Sequence, residues 1–237
     1  IGLNTAATLL NVVNTGATGN IAITEADGAT VQALQQTNAA NTAGTVSLTS
    51  ATGNIGIDDG SVLSQGGLVT LTATAGAITD ADGGTAASIT NAGGQATLGA
   101  AAGIGAAGVG NEIDTQVGTL AFANSGAGGV SVTDADALTV SGTAGSGNVG
   151  VTSTTGDLTV NGNISTAGNV ALTASAGNIV RSAGTISGNA LTLTAGGTNG
   201  AIGAAGAVLT AANSIAFSAN GTGVVNVVEA NGANVSG

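Results

Sequence analysis

The chain has 237 residues, of which 43% are apolar but only 1% aromatic, and Phe122 and Phe217 are its only large rings. Twelve acidic residues accompany a single basic one, Arg181, so the formal net charge is −11. This balance excludes nucleic acid and anionic membranes as partners, because binding to phosphate needs clustered Lys or Arg. It also excludes a disordered acidic chain, since disorder requires low hydrophobicity and this chain is rich in β-branched residues.

Several residue types are missing altogether. Cysteine, methionine and proline are absent, so the fold needs no disulfide. No stretch of about 18 apolar residues predicts a membrane-spanning helix. Residues 1–7 lack the basic region and apolar run of a signal peptide. Because the chain does not begin with methionine, we expect it to be either a processed product or a segment of a larger protein.

A repeated motif of alternating apolar and small residues, followed by a glycine-containing turn, dominates the chain. Residues 1–20 repeat less clearly and predict an irregular first coil. From residue 21 onward, successive copies begin 21 to 29 residues apart. The nine copies begin at Ile21, Val46, Val69, Ala96, Leu120, Val149, Val170, Leu191 and Ile215.

The copy beginning at Val170 shows the internal plan of one repeat. Three short segments, 170–174, 177–180 and 184–189, are separated by turns that contain Gly or Asn. Alternation places Val170 and Leu172 on one face and Ala171 and Thr173 on the other. Glycine and asparagine suit the turns because both tolerate positive φ.

These features predict an all-β fold, a right-handed parallel β-helix with three short strands per coil and 21–29 residues per coil. Residues 21–237 would form one continuous array, because a single coil buries its apolar face only when coils stack. Eight to nine coils at about 4.8 Å each would make a rod on the order of 40 Å long. No capping helix is visible, so we expect the open ends to meet either more of the same chain or a second subunit.

Three segments of this pattern, 168–174, 177–179 and 190–196, resemble the haemagglutinin-type repeats of filamentous-haemagglutinin-like proteins. These are large bacterial adhesins and exoproteins of two-partner and autotransporter secretion. The resemblance implies a secreted or surface-anchored β-helical stalk that serves adhesion, aggregation or biofilm formation. The family's secretion domain carries Asn-Pro motifs, and this chain has no proline, so the resemblance concerns the shaft alone.

The acidic residues occur in close pairs that follow the second strand of successive predicted coils. We expect them to form one acidic column, which Arg181 extends. The candidates for metal binding in this column are Asp58, Asp59, Asp80, Asp82, Glu112, Asp114, Asp134 and Asp136. Ca²⁺ is the ion that would suit such carboxylates, and no other cofactor is expected. The preferred interpretation is a solvated edge that keeps the rod soluble and discourages lateral association.

Two other functions, ice binding and polysaccharide cleavage, have partial support in the sequence. Ser47/Thr49, Thr70/Thr72 and Thr192/Thr194 resemble the hydroxyl ladders of β-helical ice-binding proteins, but small residues interrupt the series. A polysaccharide-active enzyme would have only carboxylates and Arg181 for acid–base work, so we expect no enzyme. The sequence therefore predicts an extracellular structural or adhesive rod, at the surface of a bacterium or secreted by it. Its partners would be itself or a cell-surface receptor, and the alternative is a module that binds Ca²⁺, glycan or ice.

Overall fold

The computed structural model describes residues 1–237 and contains only strands, turns and loops. All strands belong to one continuous sheet system and pair in parallel. The strands are β1 Gly2–Thr5, β2 Leu9–Asn14, β3 Ile21–Glu25, β4 Ala29–Gln36, β5 Val46–Ser50, β6 Ile55–Ile57, β7 Val62–Leu63, β8 Val69–Ala73, β9 Ile78–Asp80, β10 Ile89–Ala100, β11 Ile113–Asn124, β12 Val130–Asp134, β13 Leu138–Ala144, β14 Val149–Ser153, β15 Leu158–Ser165, β16 Val170–Ala174, β17 Ile179–Ala183, β18 Ile186–Ala195, β19 Val208–Ala219, β20 Val227–Glu229 and β21 Asn234–Ser236.

Each strand pairs with a strand about one coil later, which confirms the predicted parallel β-helix. The offset between paired residues ranges from 19, between Val130 and Val149, to 28, between Leu34 and Val62. The chain makes about 11 turns, more than the eight to nine predicted. The predicted number of turns was too low for two reasons. Residues 1–20 already form a paired coil through β1 and β2. Most coils after β11 are also short, with offsets of 19 to 22 residues between paired positions.

One face of the solenoid can be followed through all of these turns by its inward residues. They are Leu10, Val31, the neighbours Ile55 and Ile57, Ile78, Ile104, Val130, Val149, Val170, Leu191 and Ile215, and the exposed Val235 takes the same position in the last coil.

The nine predicted repeat starts do not form a single column, and this part of the prediction was wrong. The first five, Ile21 to Leu120, stack on one another, but Leu120 pairs with Val140. Val149 pairs instead with Val130 below and Val170 above, so the last four starts lie on a different face. The spacing of 29 residues between Leu120 and Val149 therefore spans more than one turn. The motif is the same on both faces because any inward-facing strand needs the same alternation.

The core is one continuous column of aliphatic side chains inside the coil. Ile21, Val46 and Val69 stack at one position, and Leu71, Leu98 and Phe122 stack at another. All are at least 97% buried. The next residue above Phe122 is Gly142, and a Cβ at that position would overlap the ring. The one large ring of the inner core is thus accommodated by removing the side chain above it.

The turns use glycine and asparagine for different purposes. Every residue with positive φ is a glycine, so the expectation that asparagine also takes this conformation was wrong. Asparagine side chains instead bridge successive coils by accepting backbone N–H groups. Oδ1 of Asn54 accepts from the N–H of Ala77 at 2.9 Å, and Oδ1 of Asn163 accepts from the N–H of Thr185 at 3.0 Å. These bonds satisfy donors that begin a strand in the next coil.

Candidate cation site: the acidic corner

Six of the predicted site residues gather at one corner of three successive coils. This set, the acidic corner, is Asp58, Asp59, Asp80, Asp82, Glu112 and Asp114. It forms because three strands reach the same corner at successive levels: β6 ends one residue before Asp58, β9 ends at Asp80, and Asp114 is the second residue of β11. The pairing of β6 with β9 places Ile57 beside Asp80.

Hydrogen bonds link the loops of the acidic corner from one coil to the next. Oδ2 of Asp82 accepts the backbone N–H of Asp59 at 3.0 Å, and Oδ2 of Asp59 accepts that of Ala86 at 3.4 Å. Oδ1 of Asp80 accepts the N–H groups of Asp82 and Gly83, both at 3.1 Å. Asp59 and Asp80 are therefore each anchored by one carboxylate oxygen, whereas Asp82 uses both, since its Oδ1 accepts the N–H of Gly84 at 3.4 Å.

The electrostatics of the acidic corner disfavour several of its negative charges. Burial raises the pKa of Asp114 to about 6, and Glu112, Asp80 and Asp59 add to this shift through repulsion. Burial also raises the pKa of Asp58 and of Asp80. The pKa of Asp82 is lowered instead, because its carboxylate accepts the N–H of Asp59. The corner therefore concentrates negative charge without a basic side chain to balance it.

Five buried side-chain oxygens in this region have no hydrogen-bond partner: Asp59 Oδ1, Asp80 Oδ2, Asp114 Oδ2, Ser61 Oγ and Ser88 Oγ. Ser61, Ser88 and Asp114 occupy one register position in three successive coils, since the residues that follow them, Val62, Ile89 and Thr115, are paired in turn. Both serines are fully buried. Buried polar atoms without partners are rare and need an explanation.

The donor set matches a hard cation such as Ca²⁺, which binds carboxylate, hydroxyl and carbonyl oxygens. No three carboxyl groups converge on a single preformed metal position. Asp59, Asp80 and Asp114 each have a buried carboxylate oxygen without a hydrogen-bond partner, so they are the residues that could hold the ion.

The predicted acidic column does not extend beyond this corner. Asp134 pairs with Thr115 below and Ser153 above, one residue beyond the register position of Asp114, and its side chain is fully buried. Asp136 is exposed and accepts a hydrogen bond from Nε2 of Gln116 at 3.0 Å. Arg181 stacks on Val160, and its Nε donates to the backbone oxygen of Gly184 at 2.6 Å. The extension failed at Asp134 because alternation in β12 turns this residue inward, and at Arg181 because one register was assumed throughout the chain.

Asp134 instead belongs to a structural motif that was missed in the sequence. Its Oδ2 accepts from Thr115 Oγ1 at 2.7 Å and from the N–H of Val117 at 3.0 Å, and its Oδ1 accepts from the N–H of Asp136 at 3.0 Å. The carboxylate therefore fastens its own turn to the coil below. We call this arrangement a carboxylate staple.

Glu229 forms a second carboxylate staple at the same chain separations. Its Oε2 accepts from Thr210 Oγ1 at 2.7 Å, and its Oε1 accepts from the N–H groups of Ala212 at 3.2 Å and Asn231 at 3.1 Å. Burial raises the pKa of Glu229, but these hydrogen bonds outweigh it and lower the pKa overall. Glu25 makes a related contact with the N–H of Ala7 at 3.1 Å. The sequence could have predicted that Asp134 faces inward, because it lies two residues after Val132 and four after Val130 in the same alternating strand.

A shallow groove of about 890 Å³ runs along the outside of one face. Its floor includes the outward residues of successive coils, Ser131, Gly150, Ala171 and Thr192. Beside it stands an unbroken column of hydroxyl side chains. They are Thr133, Thr152, Thr173, Thr194 and Ser218.

The Ser/Thr pairs predicted as one ladder are divided between two faces. Ser47/Thr49 and Thr70/Thr72 stack on each other, whereas Thr192/Thr194 belongs to the face with the groove. In the next turn above Thr70/Thr72, Gly99 interrupts the array.

No helix in the structure is long and apolar enough to cross a membrane. Comparison of the chain with protein-family models, with curated proteins and with solved structures finds no match.

Proposed function

We propose that this chain is an extracellular structural or adhesive rod, secreted or held at a bacterial cell surface. The observation that carries the proposal is the uninterrupted parallel ladder of about 11 turns around one aliphatic core. In such a solenoid each coil is stabilised by its neighbours, so the unit transmits force along its axis and holds attached groups at a distance. The resemblance to haemagglutinin-type repeats supports the same function.

The two end coils support a role in self-association. Exposed aliphatic side chains occur at one end, including Leu3 and Leu9, and at the other, including Val228 and Val235. The strands there present unpaired N–H and C=O groups along an open edge, and such edges pair readily with further strands. We infer that these edges meet further strands, either from more of the same chain or from a second rod.

Negative-stain electron microscopy of the purified chain tests this proposal. A single rod of about 11 turns at about 4.8 Å per turn is roughly 50 Å long. We expect fibres that are several times longer. The double variant Leu9→Lys/Val228→Lys places a charge in each end coil and should leave single rods. Val109→Lys is the matched control, because Val109 is 84% exposed in a loop at mid-rod.

Single rods at every concentration, together with no attachment to bacterial or host cells, would contradict both forms of the proposal. Attachment without fibres would retain the adhesive role and remove the self-assembly role.

The alternative of a glycan-binding module is favoured by one feature, the groove beside the hydroxyl column. Hydroxyl and backbone groups there could hydrogen-bond an extended polymer, although the groove lacks aromatic side chains on which sugars stack. Binding on a glycan array that is abolished by Gly150→Phe, in the floor of the groove, would support this alternative.

A further inference from the structure

The acidic corner has an imbalance that the rod function does not explain. Six carboxyl groups from three successive coils lie together, and the only basic side chain, Arg181, is on another part of the solenoid. Like charges at short range destabilise a fold unless they are protonated or paired with a cation. A solvated edge would require carboxylates that point into water, yet Asp114 is only 7% exposed.

The column of Ser61, Ser88 and Asp114 gives a second and independent observation. The serines carry no charge, so electrostatic repulsion does not explain why both hydroxyl oxygens are buried without a partner. Ser61 lies in the same tight turn as Asp58, with its N–H bonded to the Asp58 carbonyl at 3.1 Å, and Ser88 donates its N–H to the Asp114 carbonyl at 2.9 Å. Hydroxyl and carboxylate oxygens without partners therefore occur together in three successive coils. A bound cation that coordinates oxygen would satisfy both kinds of atom.

We propose that the acidic corner binds one Ca²⁺ ion, which bridges three successive coils through the unpartnered carboxylate oxygens of Asp59, Asp80 and Asp114. Ca²⁺ takes six to eight oxygen ligands in flexible geometry, so hydroxyl groups of Ser61 and Ser88 and water can complete its shell. The donors are all oxygen, which favours Ca²⁺ over metals that prefer nitrogen or sulfur.

Binding requires carboxylate side chains of the corner to rotate, because no three of them converge on one metal position in the structure. The loops that carry them are already fixed by the bond from the Asp59 N–H to Asp82 and by the two N–H groups that bind Asp80. The ion would therefore join coils that are positioned in advance and would stabilise the rod where Ca²⁺ is abundant.

Isothermal titration calorimetry of the whole chain, freed of metal with EDTA and then titrated with CaCl₂ at neutral pH and moderate salt, tests the proposal. We expect one saturable site with a Kd of about 10⁻⁴–10⁻³ M or tighter. Asp114→Asn should weaken binding by at least about tenfold, and Ser88→Ala should weaken it as well without changing the charge. Asp27→Asn is the control, since it removes the same charge from an exposed position outside the corner.

Thermal unfolding supplies a second readout. In EDTA, Asp114→Asn should unfold at a higher temperature than the wild type, because it relieves repulsion. In excess Ca²⁺ the order should reverse, because only the wild type gains the full stabilisation by ligand. If Asp114→Asn fails to fold, Asp59→Asn serves instead in the calcium titration, because Asp59 is a proposed ligand and only half-buried.

The absence of a saturable calcium signal in the wild type would overturn the proposal, leaving water to occupy the corner. Equal affinities for wild type, Asp114→Asn and Asp27→Asn would also overturn it, since they would indicate diffuse counter-ion binding. Both measurements concern a corner that lies away from the two end coils, so the comparison between variants does not depend on whether the rods form fibres.

Discussion

The carboxylate staple at Asp134 allows the stability of one corner to be worked out from its contacts. Asp134→Ala removes the acceptor for Thr115 Oγ1 and for the N–H of Val117, both of which are buried. Each buried donor left unpaired costs about 1–3 kcal/mol. The third donor, the N–H of Asp136, belongs to an exposed residue and can bond to water instead.

The loss is partly offset because a buried charge disappears. Burial raises the pKa of Asp134, and hydrogen bonds from Thr115, Val117 and Asp136 only partly reverse that shift. We therefore expect Asp134→Ala to lower the free energy of unfolding by about 3 kcal/mol. Asp134→Asn keeps the shape and one acceptor oxygen and should cost about 1 kcal/mol.

Urea unfolding followed by circular dichroism measures these differences, and Asp136→Ala in the same turn is the control, with an expected change within about 0.5 kcal/mol. Because solenoids can unfold in parts, hydrogen exchange at the Val117 amide should be measured in parallel. If Asp134→Ala were no more destabilising than Asp136→Ala, and the Val117 amide stayed protected, the reasoning on the staple would be refuted.

Three further predictions concern the turns, the core and pH. Gly53→Ala should destabilise the chain, because a Cβ would overlap the backbone oxygen of Asp27, whereas Gly206→Ala meets no atom within 4 Å and should be neutral or stabilise by about 0.4–1 kcal/mol in urea unfolding. Leu98→Ala, at a fully buried position, should cost about 2–5 kcal/mol in the same assay. For the metal-free chain, the unfolding temperature should rise as pH falls from 7 towards 4. The pKa of Asp114 is raised from 3.8 to about 6, so its ionised form destabilises the fold and protonation through that window removes the penalty. A lower unfolding temperature at pH 5 than at pH 7 in EDTA would contradict this reasoning.

Local rules were sufficient to predict the architecture. Alternation such as Val170-Ala171-Leu172-Thr173 specifies which residues face inward, and frequent glycine turns specify short strands. Neither feature depends on which coil lies above or below. The all-β, parallel, stacked arrangement was therefore predictable, while the number of turns was underestimated because coil length varies.

The register between coils could not be predicted in the same way. Leu120 pairs with Val140 rather than with Val149, although the segment at 149 matches the motif well. The inward positions of every face carry the same small set of aliphatic residues, so the motif does not identify its face. This error moved Arg181 into a column to which it does not belong, whereas Asp134 was misplaced because alternation in its strand turns it inward.

The sequence by itself determined the class of fold and the grouping of Asp58, Asp59, Asp80, Asp82, Glu112 and Asp114, because these depend on alternation, turn residues and close spacing along the chain. Only the tertiary structure separated these acids from the staples formed by Asp134 and Glu229, and only it revealed the unpartnered hydroxyl groups of Ser61 and Ser88. The physical reason is that a carboxylate's role depends on the donors and charges around it. In a parallel solenoid those groups come from coils about twenty residues away, at offsets that vary from turn to turn.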